Sequence, residues 1–554
     1  MNIFSLSDAL VDRICALRPM SATFMGVPGH DTRWDDLSPA GVAAWSSLVQ
    51  ETEAALAALP PPKDRWEALA AEVHADWCAL ERDRVLHGDH LHDLNSIASP
   101  FQLVRMVFDV MDTSTQAGWE AVAQRLETLD QPLGGYRELL ALGLARGEVV
   151  AARQVEAALR QGEVTTADGG FYRGLLQAYT SAPFATATFG ERLTAAIDHA
   201  VAATRALCAW LRSTYLPAAP RRDGVGHDRY VRAARRFLGA TLDPLETYAW
   251  GWTEVRSILN QLAALAPGET VPTMLTRLRQ DPAVQAPDAE SFLDLMHARQ
   301  ILALAVLDGV YFDVPPPVRQ LDVRRAPDNG TRGAYYMAPS EDFSRPGSIW
   351  YAIGDGPVSM YDEVSTAYHE GFPGHHLQIG TQVSLSQHLS RWHRLGDGCS
   401  GYAEGWALYA EQLMGELGYY ERPAYQIGML ANQLIRALRV VIDIGAHLHL
   451  PIPPDAPFHP GELWTFDRAV EVLVTWGGMT REHAESDVTR YLGWPGQAIS
   501  YKVGQRVMLA LREAWRTKHG ADLKPFHAAV LGCGTVGLER LEAWVLGTSQ
   551  GAAA

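Results

Sequence analysis

Apolar residues recur at intervals of three and four along most of residues 1–310, in segments rich in Ala, Leu, Glu and Arg. That period places them on one face of a helix, and it predicts helices over 41–59, 65–84, 119–129, 189–215 and 243–265. Breaks in the pattern coincide with Pro and Gly clusters: Pro60-Pro61-Pro62, Ser181-Ala182-Pro183 and the stretch 217–220. The segment 19–29, bounded by Pro19 and Gly29, reads as a loop. No fixed-period repeat emerges, which disfavours a regular solenoid.

The pattern changes near Tyr311. After Pro315-Pro316-Pro317 come three short runs with β-branched or aromatic residues, 320–325, 333–338 and 348–353, bounded by Asn329-Gly330 and Arg345-Pro346-Gly347. They predict a small β element near 318–353. Helical periodicity returns at Tyr361 and continues to the end, interrupted by a Pro-rich loop over 451–461. The expectation is a mainly α protein: a helical N-terminal lobe, 1–315, and a second helical lobe, 316–554, that carries the chemistry. The boundary is soft, and one continuous domain is the other possibility.

Composition narrows the class. The 554 residues are 47% hydrophobic and 20% charged, an ordinary globular mixture that excludes a disordered or collagenous chain. Lys and Arg number 47 against 64 Asp and Glu, a net charge of −17, so the basic footprint of a nucleic-acid binder is absent. Five cysteines, none in a CxxC pair, fit neither a disulfide framework nor a cysteine-rich zinc site. Asp8, Asp12 and Arg13 interrupt any apolar leader, and the best apolar run, 301–307, ends at Asp308, far short of a membrane span. The expectation is a cytoplasmic protein without nucleic-acid or membrane partners; its oligomeric state is not readable.

The densest chemistry lies in YDEVSTAYHEGFPGHHLQ, residues 361–378, which holds His369, Glu370, His375 and His376 within eight positions. In the HExxH motif, two histidines four apart share a helix face and bind zinc, while the glutamate acts on water. Here the fifth position is Pro373, and the second histidine comes later. On a straight helix His369 and His375 stand about 120° apart with roughly 9 Å of rise; His369 and His376 return to within about 20°, but about 10.5 Å apart. Neither pair reaches one ion through bonds of about 2.0–2.1 Å. Pro373 cannot donate to the carbonyl four residues back, and Gly374 tolerates unusual dihedrals. A bulged or broken helix at 372–374 is therefore expected, drawing His375 or His376 up to His369.

A third ligand is expected from 401–413, a helical pattern with Glu404 and Glu411 seven apart on one face. Two histidines and a carboxylate leave a fourth zinc position for water. Glu404 is the candidate ligand, and Glu411 the candidate partner of a ligating histidine. Tyr501, just after Pro495-Gly496, is a candidate donor to a tetrahedral oxyanion, with Lys502 beside it as a possible substrate contact. Arg436, Arg439, Asp443 and His447 share a helix face. They read either as a buried ion pair or, for Arg436 and Arg439, as guanidinium groups that bind a substrate carboxylate.

The run HEGFPGHHLQ, 369–378, resembles the HExxPGHHxQ signature of the bacterial domain of unknown function 885 family. The resemblance extends through YAEGWALYAE (402–411), RALRVVIDIGAH (436–447), RYLGWPGQAISYKVG (490–504), and Phe526-His527 through LERLE (538–542). Pro19, Ala22-Thr23 and Gly26 are also similar. Gly537 departs from the family, which often has Pro there, and the Pro-rich stretch after His447 looks like an insertion that bears on substrate range. That family in turn resembles helical gluzincin peptidases such as the thimet-oligopeptidase and angiotensin-converting-enzyme groups. The resemblance implies a large two-lobed helical zincin-like fold with a deep cleft and one Zn2+ ion. By it, His369, a later histidine and Glu404 would be ligands and Glu370 the general base. Dipeptidyl peptidase III also has a lengthened motif ending in Gly-His, which leans toward His375.

The leading expectation is a zinc-dependent hydrolase of amide or peptide bonds, acting on short peptides. An amidase or acylase of a small metabolite or biosynthetic intermediate is the alternative within enzymes. A non-catalytic protein that retains metal is the alternative outside them, and an intact Glu370 argues against it.

Overall fold

The computed structural model describes residues 2–326, 333–396 and 398–547. The expected turn at Asn329-Gly330 lies outside them. The chain divides into two compact units, residues 1–223 with 390–392, and residues 224–389 with 393–554. The change of pattern near 315 falls inside the second unit, where it marks the entry to the small sheet.

The first unit is helical. Its helices begin where the sequence supplies caps: Ser38 accepts from the backbone N–H groups at the start of Pro39–Ala57, Asp64 does so for Arg65–Leu86, and Thr186 for Ala187–Trp210. Leu126, Tyr136, Leu193, Ile197 and Leu211 are wholly buried in one core. The segment expected to be a loop at 19–29 is instead a seven-residue helix, Pro19–Met25. Pro19 sits at its first position, where a missing N–H costs nothing, and Gly26 ends it with φ 74°. In so short a helix both ends look like loop punctuation.

That short helix docks on a buried cation. Arg125, with no solvent exposure, donates to the carbonyls of Pro19, His30 and Arg33 at 3.2–3.4 Å and to Thr23 Oγ1 at 2.8 Å. Thr23 Oγ1 donates in turn to Asp31 (2.7 Å), and Asp35 accepts from the backbone N–H of Met20 (2.8 Å).

The second unit carries the sheet. Gly347–Tyr351 is the central strand, parallel to Leu321–Arg325 and antiparallel to Ala334–Met337. The central strand is the buried one, with Ile349 fully enclosed. Helices Glu363–Glu370, His375–Ser384, Ser400–Glu416, Pro423–Leu448, Arg481–Gly493 and Ser500–His519 follow. Ser400–Glu416 and Ser500–His519 cross at glycines: a Cβ at Gly405 would lie 2.6 Å from the Gly504 Cα. The Pro-rich loop after His447 is packed, with Phe458 against Trp252 at 5.3 Å and Ile452 fully buried. Among the described residues no helix is long and apolar enough to cross a membrane.

Candidate metal centre

The helix that carries His369 stops at Glu370, and a new one starts at His375. The break expected at 372–374 is present and one residue wider. It is held from three sides. Gln300 donates to the Ala367 carbonyl (2.8 Å), which also accepts from the Gly371 N–H, and accepts from the Phe372 N–H (2.6 Å), a donor the interrupted helix leaves open. Trp406 Nε1 donates to the Pro373 carbonyl at 2.9 Å. Gly374 packs so close to the preceding turn that a Cβ would stand 2.0 Å from the His369 carbonyl oxygen, so the approach requires glycine.

The break brings His369 and His375 to a ring separation of 4.8 Å. Glu404, from Ser400–Glu416, places Oε2 3.2 Å from His369 Nε2 and 3.4 Å from His375 Nε2. One donor atom from each of His369, His375 and Glu404 lies within 4.8 Å of the others. His376 is not part of this cluster. Its Nε2 faces the Val318 carbonyl at 2.7 Å and its Nδ1 the Tyr336 hydroxyl at 3.1 Å, and burial pushes its pKa down to about 4.

Glu411 lies one heptad beyond Glu404, beneath His369. Its Oε1 is 2.7 Å from His369 Nδ1, and Oε2 accepts from Ser365 at 2.6 Å and Gln433 at 3.4 Å. A carboxylate on Nδ1 holds a proton there and turns Nε2 toward Glu404. Burial alone would lower the His369 pKa; hydrogen bonds to Glu404 and Glu411 outweigh it and raise it to about 10. Burial would likewise raise Glu404 and Glu411, but bonds to the histidines hold both below the usual carboxylate range.

Glu370, next to His369, makes no hydrogen bond among the described residues. Burial raises its pKa, opposed by His369 and His375. The Tyr501 ring lies nearly parallel to His369, 17° between planes and 6.2 Å between centroids, and Arg439 also lies over it, 4.8 Å from the ring centroid. Arg439 is anchored by the Tyr491 hydroxyl (2.9 Å) and Asp487 (3.1 Å), and Asp487 also pairs with Arg490 at 3.1 Å. Asp443, which shares a face with Arg439 in sequence, instead accepts from the Tyr230 hydroxyl (2.7 Å) and the Gly496 N–H (2.9 Å). Lys502 is enclosed by Glu254 (3.0 Å), Gln433 (3.2 Å) and Gln505 (2.8 Å). Arg436 donates to the Asn432 carbonyl at 3.2 Å and stands 4.0 Å from Glu411.

Sequence reasoning missed the supports: Gln300, Ser365, Gln433 and the Asp487–Tyr491 pair. Gln300 sits in an otherwise apolar stretch, and nothing in its neighbourhood announces that it caps a helix 67 residues away.

Fold and site together define a mostly helical protein whose second unit builds a buried two-histidine, one-glutamate centre. The chain belongs to the family described as "Bacterial protein of unknown function (DUF885)", whose model matches residues 19–545. Two solved structures share the fold. One is described as "the putative lipoprotein from Colwellia psychrerythraea", 21% identical, with a TM-score of 0.86 over 99% of this chain and 98% of that one. The other is "a putative lipoprotein of unknown function from Shewanella oneidensis", 16% identical, with a TM-score of 0.74 over 99% of this chain and 100% of that one. No curated protein matches.

Proposed function

We propose that this protein is a zinc-dependent hydrolase of amide bonds, a peptidase acting on short peptides, in the manner of the two-lobed helical gluzincins that its motifs resemble, and that it works in the cytoplasm. The single observation that carries the reading is the convergence of His369, His375 and Glu404. The donor types suit zinc, two imidazole nitrogens and a carboxylate oxygen: ligand atoms bound tetrahedrally at about 2.0–2.1 Å stand about 3.3 Å apart, Glu404 Oε2 lies 3.2 and 3.4 Å from the two Nε2 atoms, and one donor atom from each residue lies within 4.8 Å of the others. Glu411 on His369 Nδ1 is the support such a ligand requires.

A zinc ion held there supplies Lewis acidity and lowers the pKa of water. The remaining work falls to the chain. Glu370 accepts the proton of the attacking water at its carboxylate and returns it to the leaving nitrogen; its burial keeps it basic enough for both. The Tyr501 hydroxyl donates to the carbonyl oxygen as it gains charge. Arg439, stacked on the Tyr501 ring and tied to Asp487, holds that phenol in place.

The test is Glu370→Gln. Hydrolysis of a short-peptide panel is expected to fall at least about 10²–10⁴-fold while zinc content, measured by atomic emission on the purified protein, stays at one ion per chain. An unchanged rate would remove Glu370 from the mechanism. Zinc uptake without hydrolysis of any peptide or N-acyl amino acid would reduce the protein to a metal-retaining binder.

A further inference from the structure

We propose that Arg436 anchors a carboxylate of the substrate, so that the bond cleaved lies next to a free carboxylate end, as in the last residue of a short peptide or an N-acyl amino acid. This rests on the hydrolase reading and names its substrate class.

Counting donors separates Arg436 from the other cations near the centre. Lys502 has three N–H donors and three acceptors within 3.2 Å, Glu254, Gln433 and Gln505. Arg439 gives Nε to Tyr491, Nη2 to Asp487 and its face to Tyr501. Arg490 gives Nη1 to Gln497 (2.5 Å) and Nη2 to Asp487. Among the described residues Arg436 makes one hydrogen bond, from Nη1 to the carbonyl one turn back on its own helix. Its Nε is buried without a partner. Among the described residues its nearest carboxylate oxygen, Glu411 Oε1, is 4.0 Å away and already engaged by His369.

A guanidinium offers five N–H donors in a planar fork that matches a carboxylate with two parallel bonds. Leaving such donors unmatched out of water costs free energy that an arriving anion recovers. Position favours the same assignment. Arg436 Nη2 stands 4.0 Å from Glu411 Oε1, the oxygen that meets His369 Nδ1 at 2.7 Å, so the guanidinium lies one side chain away from the proposed ligand.

The experiment has two arms on the full-length protein. In the first, calorimetric titration with N-acetyl-phenylalanine and with its carboxamide measures binding without reference to turnover. The acid is expected to bind about 10- to 100-fold more tightly than the amide. Arg436→Gln is expected to erase that preference, and Arg436→Lys to restore part of it as a point charge. Equal binding of acid and amide by the unaltered protein, or a preference that survives in Arg436→Gln, would overturn the assignment; the first comparison needs no variant to fold. In the second arm, the zinc-loaded protein is offered a short peptide and its C-terminal amide. Cleavage of both at equal rates defeats the carboxylate anchor and leaves the hydrolase reading standing. Cleavage of neither, with acid-selective binding in the first arm, defeats the hydrolase reading and leaves the anchor.

Discussion

Two buried polar networks, one in each unit, show what separates a structural cluster from a candidate site. In the first unit Arg125 spends its hydrogen bonds on three backbone carbonyls and a hydroxyl, with Asp31 and Asp35 as counter-charges. Its spare Nη1 is sealed inside, since the residue has no exposure at all. In the second unit the two histidines turn their Nε2 atoms on one carboxylate oxygen of Glu404, at 3.2 and 3.4 Å. The first network joins a short helix and a loop to a core helix. The second aims acceptors at a point. Burial is the same in both, so burial alone identifies neither.

Breaking each network should give different losses. Arg125→Met leaves three carbonyls and the Thr23 hydroxyl without their donor, and Asp31 and Asp35 without their counter-charge, and is expected to cost about 3–5 kcal/mol in urea unfolding, with zinc content unchanged. A loss of zinc in that variant would mean the networks are not independent. Glu411→Gln is expected to lower zinc affinity about 10–100-fold, read by competition with a chromophoric chelator, with a smaller effect on unfolding of the zinc-free protein. An unchanged affinity would make Glu411 a structural anchor only. The smallest expected effect is a slope. Burial raises the Asp35 pKa from 3.8 to about 6. A folded pKa above the unfolded one gives stability that is full below about pH 4 and is lost as pH rises through 6. Compared with Asp35→Asn, the unaltered protein should therefore lose stability between pH 4 and 6, by at most about 1.4 kcal/mol per pH unit, and run parallel above. Parallel curves throughout would show that Arg125 keeps Asp35 ionised.

Much of the site was legible before any coordinates. Helix arithmetic alone rules out a straight path from His369 to either later histidine, and Pro373-Gly374 marks where the path has to fail; the helix ends at Glu370 and restarts at His375. The seven-residue spacing of Glu404 and Glu411 placed both on one face, and both meet His369, one at each ring nitrogen. The short runs around residues 320–353 gave the strands within a residue or two. The Pro19–Met25 helix was missed because its stop and start signals lie seven residues apart.

The sequence by itself determined which residue types are available and where the chain has to break, because those follow from local geometry and from what proline and glycine permit. Tertiary structure decided between His375 and His376: they are adjacent, so spacing hardly separates them, but the Val318 carbonyl and Tyr336 claim the second. It also sorted the cations. Lys502, Arg439 and Arg436 look alike along the chain, and only the acceptors brought by Glu254, Gln433, Asp487 and Tyr491 from other helices satisfy two of them and leave Arg436 with donors to spare. Hydrogen-bond satisfaction is a property of neighbours in space, and a single chain read in order does not contain it.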